Sequence, residues 1–227
     1  MIQISKKHDF GGVSYSVSSA KEMSGLPSEF RELVSDRDVA ALNDHGAYFS
    51  TLANMCRFGP MRSWLTVVAQ SESVSLTAYK DDMGQRASLL NTLGGSVCLT
   101  PSLVPELAAT QLRDVFGLIG SIHQFGFGEP HVLEIGQHAA VEKFNERMLE
   151  HSSGPPPKSY VIEFYRSDCG ESLLAVGDQV YHYHISGAVC RGSSLDETLR
   201  QYFDERSGQE SLFEPHLPYD SVKRKVP

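Results

Sequence analysis

YVIEFYRSDCGESLLAVGDQVYHYHISGAVCRGSSLDETLRQYF, residues 160–203, is the stretch that decides the fold. It divides into a strand (YVIEFY), a turn (SDCGE), a second strand (SLLAV), a Gly-Asp turn, a third strand (QVYHYHI) and a helix (SSLDETLRQYF). Runs of β-branched and aromatic residues bounded by Gly, Asp and Ser are what strands joined by tight turns require. The helix carries its own start signal. Ser194 and Glu197, three residues apart, make a capping box in which each side chain satisfies a backbone N–H that the first turn leaves orphaned. Leu195, Leu199, Tyr202 and Phe203 then share one helical face.

Upstream of this module, Ala108, Leu112, Val115, Ile119 and Ile122 follow helical spacing from a start at Pro101 or Pro105, since proline is tolerated in a first turn. FGFGEPH (125–131) is a turn-rich break. Val132 to Ile135 reads as a short strand, and Ala140, Val141, Phe144 and Met148 as the apolar stripe of another helix. Pro155, Pro156 and Pro157 after Gly154 make a stiff connector. In the first hundred residues Val13, Tyr15 and Val17 alternate with serines as a half-buried strand does. Pro27-Ser28 opens a helical stretch with Phe30, Leu33 and Val34, and Asp36 or Asp38 caps a second. Trp64–Ala69 and Val74–Tyr79 read as strands across a QSES turn, and Val97–Leu99 as a short apolar run after Gly94-Gly95. The class expected is α+β. Residues 1–100 form an N-terminal region of unassigned role, a second domain or an elaboration of one sheet. Residues 101–205 form a domain, and 206–227 a flexible tail.

The net charge of −8 is unevenly spread. Residues 101–205 hold seven Lys/Arg against fifteen Asp/Glu, a balance of −8, while 1–100 balance at −1 and 206–227 at +1. An acidic face repels phosphate backbones and attracts basic partners, so direct nucleic-acid binding is disfavoured. It also keeps a domain soluble, so charge alone leaves both readings open. No apolar run approaches the ~20 residues a membrane span needs, and MIQISKKHDFGG has no apolar core of a signal peptide. A cytoplasmic protein with reduced thiols at Cys56, Cys98, Cys169 and Cys190 is expected.

Catalytic devices are scarce. His182 and His184, two apart on a strand, point to one side and invite a metal reading, hence the alternative of a small metal-dependent hydrolase. A site needs a third ligand, and His131 and His138 stand at no recognised spacing; the competing reading is two histidines on a polar strand face. Cys169 sits in a tight turn before a φ-permissive glycine, without a neighbouring base. No cofactor motif is present, and Gly126-x-Gly128 lacks the context of a dinucleotide loop. What remains suits an interface: Tyr165, Tyr181 and Tyr183 as aromatic anchors, with Glu163, Asp168, Glu171 and Asp178 as carboxylates that select basic partners. Strand alternation places about half of the tyrosines in a core.

The order of elements and the string IEFYRSDCGESLLAVGDQVYHYHI…SSLDETLRQYF resemble the C-terminal core of the SUKH superfamily. In that family an I-x-F strand leads to an Asp/Gly turn, two further strands and a terminal S-[FL]-x-E-x-L helix. Ile162, Phe164, Asp168, Gly170, Val180, Tyr181, Ser194, Leu195, Glu197 and Leu199 fall on those positions. The family's L-P-x-x-[FY]-[RK] opening is matched by Leu26-Pro27-Ser28-Glu29-Phe30-Arg31, far upstream, or less well by Val104-Pro105-Glu106-Leu107. Its tryptophan and Asn-Gly turn after the first helix are missing here. The resemblance covers about residues 101–205. It implies a SUKH-like C-terminal half with a mixed β-sheet and helices packed on it, and a non-catalytic immunity protein that binds and neutralises a cognate basic bacterial toxin, such as a secreted effector nuclease.

Overall fold

The computed structural model describes residues 3–5, 13–80, 86–92, 95–106, 108–124, 131–136, 161–167, 169–186 and 189–206. Eleven strands form one sheet: β1 (Gln3–Ser5), β2 (Val13–Val17), β3 (Ser75–Lys80), β4 (Arg86–Thr92), β5 (Gly95–Cys98), β6 (Ser121–Gln124), β7 (His131–Gly136), β8 (Val161–Ser167), β9 (Glu171–Val176), β10 (Gln179–His184) and β11 (Val189–Ser194). Spatial order follows chain order, so each strand pairs with its sequence neighbours. The helices are α1 (Ser28–Arg31), α2 (Asp36–Asn43), α3 (His45–Met55), α4 (Gly59–Ala69), α5 (Thr110–Phe116) and α6 (Leu195–Arg206).

The α+β class holds. The expected mixture of parallel and antiparallel pairs is corrected, because every described pairing is antiparallel. A meander produces this outcome: consecutive strands that lie side by side reverse direction at each connection.

One cross-strand row explains where the core sits. Val17, Leu76, Leu90, Val97, Ile122, Leu133, Tyr165, Leu173 and His182 are successive register partners from β2 to β10. From Val17 to Leu133 the row is almost wholly buried. Phe49 and Leu52 of α3, Trp64 and Leu65 of α4, Leu112 and Phe116 of α5, and Leu199 and Phe203 of α6 complete the same cluster. The β5–β6 pairing crosses residue 100, so residues 1–100 and 101–205 contribute to one sheet and one core.

Three local expectations are corrected. Residues 64–69 belong to a helix, although Thr66, Val67 and Val68 favour strands. Met61, Trp64, Leu65 and Val68 are buried at helical spacing, and Pro60 lies in the first turn, where its missing N–H costs nothing. Burying that stripe outweighs local propensity. The α2 cap is neither Asp36 nor Asp38 but Ser35, whose hydroxyl accepts from the Asp38 N–H while the Asp38 carboxylate accepts from the Ser35 N–H. The helix expected to run to Ile122 ends at Phe116. Gly120 leaves no room for a side chain, since a Cβ there would stand 2.1 Å from the Thr100 carbonyl oxygen, and Ile122 becomes part of β6. The helix expected over 140–148, the proline connector and the tail lie outside the described residues.

Candidate functional site

The final hairpins and α6 carry most of the residues singled out above. In β8 and β9, Glu163 is opposite Leu174, and Tyr183 of β10 is opposite Ser172. These side chains face away from the helices, where a small second apolar cluster forms from Leu174 and Tyr183 with Val161, Val176 and Tyr181 packed against it. Glu163 is only 3% exposed and accepts a 2.5 Å hydrogen bond from the Ser172 hydroxyl. Tyr183 is 4% exposed. Both are therefore removed from the expected partner surface, because they sit within or directly beside the small apolar cluster on that face. Tyr165 packs partly buried on the main core, Tyr181 is half-buried in the small cluster, and Glu171 is half-buried opposite His184. Asp178 is exposed. Asp168 lies outside the described residues.

Asp178 is also where the module closes. Its carbonyl oxygen accepts the Leu195 N–H at 2.8 Å, which brings the β9–β10 turn against the start of α6. Ser194 Oγ accepts the Glu197 N–H at 3.2 Å, as the capping box requires. The first turn of α6 carries Asp196 and Glu197, where the helix dipole favours negative charge. The Asp178 backbone thus stands against the first turn of α6, which carries Asp196 and Glu197. Asp196 is ion-paired with Arg200 at 2.5 Å, one turn on; Glu197 is exposed. The sequence assigns Glu197 to the α6 cap and gives neither helix carboxylate a place in the partner surface; only the fold sets this turn against the Asp178 backbone.

The histidine pair has other engagements. His182 continues the core row and lies against Gly192, where a Cβ would come within 2.6 Å of Nε2. Burial pushes its pKa below the ordinary value. His184 Nδ1 lies 2.7 Å from Ser186 Oγ and accepts the Ser186 N–H at 3.1 Å. Among the described residues, no three His, Cys, Asp or Glu side chains are grouped so as to hold a metal ion. Cys56 and Cys98 are free thiols whose pKa burial raises, which lowers their reactivity. Cys169 is an exposed thiol, its Sγ 2.8 Å from Ser167 Oγ. Gly170 beside it holds φ +86°, and Ile185 occupies the space a Cβ would need.

A second polar assembly was not foreseen. On the face opposite the core row, Asn91 donates to Ser75 and Thr77 hydroxyls at 3.0 and 2.9 Å and accepts from Ser96 Oγ at 2.8 Å. Further along, Ser121 Oγ lies 2.8 Å from His123 Nε2. Arg166 Nη2 pairs with Glu134 Oε1 at 2.5 Å. Burial first, and the Arg166 charge second, lower the His123 pKa to about 4. So weak a base is poorly suited to activating the serine at neutral pH. The Ser121–His123 spacing is visible in the sequence, but the approach of Arg166 depends on pairings with β7 and β8.

No family model, curated protein or solved structure matches this chain. Among the described residues, no helix is long and apolar enough to cross a membrane.

Proposed function

We propose that this is a non-catalytic binding protein of the immunity type, acting in the cytoplasm to neutralise a cognate basic bacterial toxin. The observation that carries this reading is the meeting of Asp178 with the first turn of α6, in the segment that holds the acidic excess. Carboxylates so gathered accelerate encounter with a cationic protein and orient it, while contributing modestly to affinity if they stay at a wet rim. Tyr181 of β10, half-buried in the small cluster, is the aromatic side chain that a docked partner would cover further, whereas Tyr165 of β8 packs on the main core. The same acidity opposes direct nucleic-acid binding.

The test uses a basic secreted toxin encoded beside this gene. Association is measured by stopped flow at low and physiological salt, for wild type and for Asp178→Lys/Glu197→Lys. Charge reversal is expected to slow association by about tenfold at low salt, and less as salt screens the field. A partner that binds with unchanged rate after reversal defeats the acidic-surface reading. Failure of every neighbouring toxin to bind defeats the immunity reading.

A further inference from the structure

The sheet face turned away from the helices carries a group whose charge state the surrounding strands constrain. His123 of β6 stands in register between Ser96 of β5 and Val132 of β7, with Arg166 of β8 next in the same row. Its Nε2 meets the hydroxyl of Ser121, which is 6% exposed. Glu134 of β7 is the register partner of Ser121, and it is this carboxylate that holds Arg166. The charged and titratable groups around the ring among the described residues are therefore Arg166 from β8, Glu134 from β7 and the Cys98 thiol of β5, opposite Ser121. In the tautomer protonated at Nδ1 a neutral imidazole accepts the Ser121 hydroxyl at Nε2, and it sits beside the guanidinium without electrostatic conflict. Protonation of that tautomer turns Nε2 from acceptor to donor, so the Ser121 hydroxyl must rotate. It also sets a second cation near Arg166, with Glu134 already engaged.

We propose that Ser121, His123, Glu134 and Arg166 form an acid-responsive latch across β6, β7 and β8, closed while the imidazole is neutral and forced apart when it takes a proton. The step is a reversible protonation at His123, with no bond made or broken elsewhere. Its location matters because β6 to β8 join the strands before residue 100 to the closing hairpins. Loosening there parts the strand ladder between the two ends of the sheet, while the last helix still packs on α4 through Phe203 and Trp64. The low pKa keeps the latch shut at neutral pH and confines opening to acid.

NMR titration of the histidines together with amide hydrogen exchange, corrected for intrinsic rates, tests this from neutral pH down to about 4. The expected result is a His123 midpoint well below its ordinary 6.5, with protection lost first at Ile122 and Leu133 while Leu76 and Leu90 stay protected. Arg166→Met should move the midpoint up toward the ordinary value, and Glu134→Gln should move it down. His123→Gln should abolish the selective loss of protection. A wild-type midpoint near 6.5 overturns the latch, as does protection that fades evenly across the sheet. A midpoint unmoved by Arg166→Met overturns the role of that guanidinium.

Discussion

Phe203→Ala probes the claim that the last helix belongs to the same cooperative unit as the first hundred residues. Phe203 is fully buried, its ring 5.7 Å from that of Trp64 and 6.2 Å from that of Phe58, centroid to centroid. Both partners precede it by well over a hundred residues. Truncating a buried Phe to Ala costs about 3–5 kcal/mol through lost transfer energy and the cavity left behind. The upper part of that range applies, because the rigid aromatic rings of Trp64 and Phe58 cannot collapse into the gap. Against a total stability of about 5–15 kcal/mol this is a large fraction. With a urea slope of about 2–3 kcal/mol/M for a chain of this size, the midpoint should fall by about 1.5–2 M. Trp64 is the only tryptophan, so its fluorescence reports the contact directly, and circular dichroism should follow the same transition. Phe203→Leu, which keeps most of the volume, should lose only about 1–2 kcal/mol. A loss below about 1 kcal/mol in the alanine variant, or fluorescence and dichroism transitions that separate, would refute the single-unit argument.

Further outcomes follow from local geometry. Gly120→Ala should destabilise more than substitution at exposed Gly177, because the new Cβ meets the Thr100 carbonyl and that obstacle is backbone; thermal unfolding of the two variants makes the comparison. Ser172→Ala removes the hydrogen bond to the buried Glu163 carboxyl and should cost about 1–3 kcal/mol in urea denaturation. Stability should also depend on pH. His123 and His182 have depressed pKa values in the fold, so the unfolded chain takes protons first as pH falls. Stability is whole above 6.5 and declines from there toward pH 4, by about 3 kcal/mol for His123 across that window. Denaturation midpoints at both ends of the window measure it, and His123→Gln should remove most of that decline.

The closing module was legible because its signals are local. The strands over 161–184, their Gly-bearing turns and the Ser194–Glu197 cap are decided within a few residues of each other, and local sterics and hydrogen bonding suffice. The α+β class was equally accessible from periodicity. Residues 64–69 were not, because their β-branched run argues for a strand and only the sheet beneath them supplies the surface that a helical Trp64, Leu65 and Val68 stripe buries. The partner surface was half-legible for the same reason. Carboxylates and tyrosines can be counted from the chain, but a small apolar cluster on the far face of β8–β10 buried Glu163 and Tyr183, and a single backbone hydrogen bond from Leu195 to Asp178 brought the α6 acids into play. Sequence by itself determined which short segments become strands or capped helices and where negative charge accumulates, since those depend on neighbours in the chain. Tertiary structure decided that the strands join in one meander, which side chains it hides, and that Ser121, His123, Glu134 and Arg166 meet, because those outcomes depend on register between segments far apart in sequence.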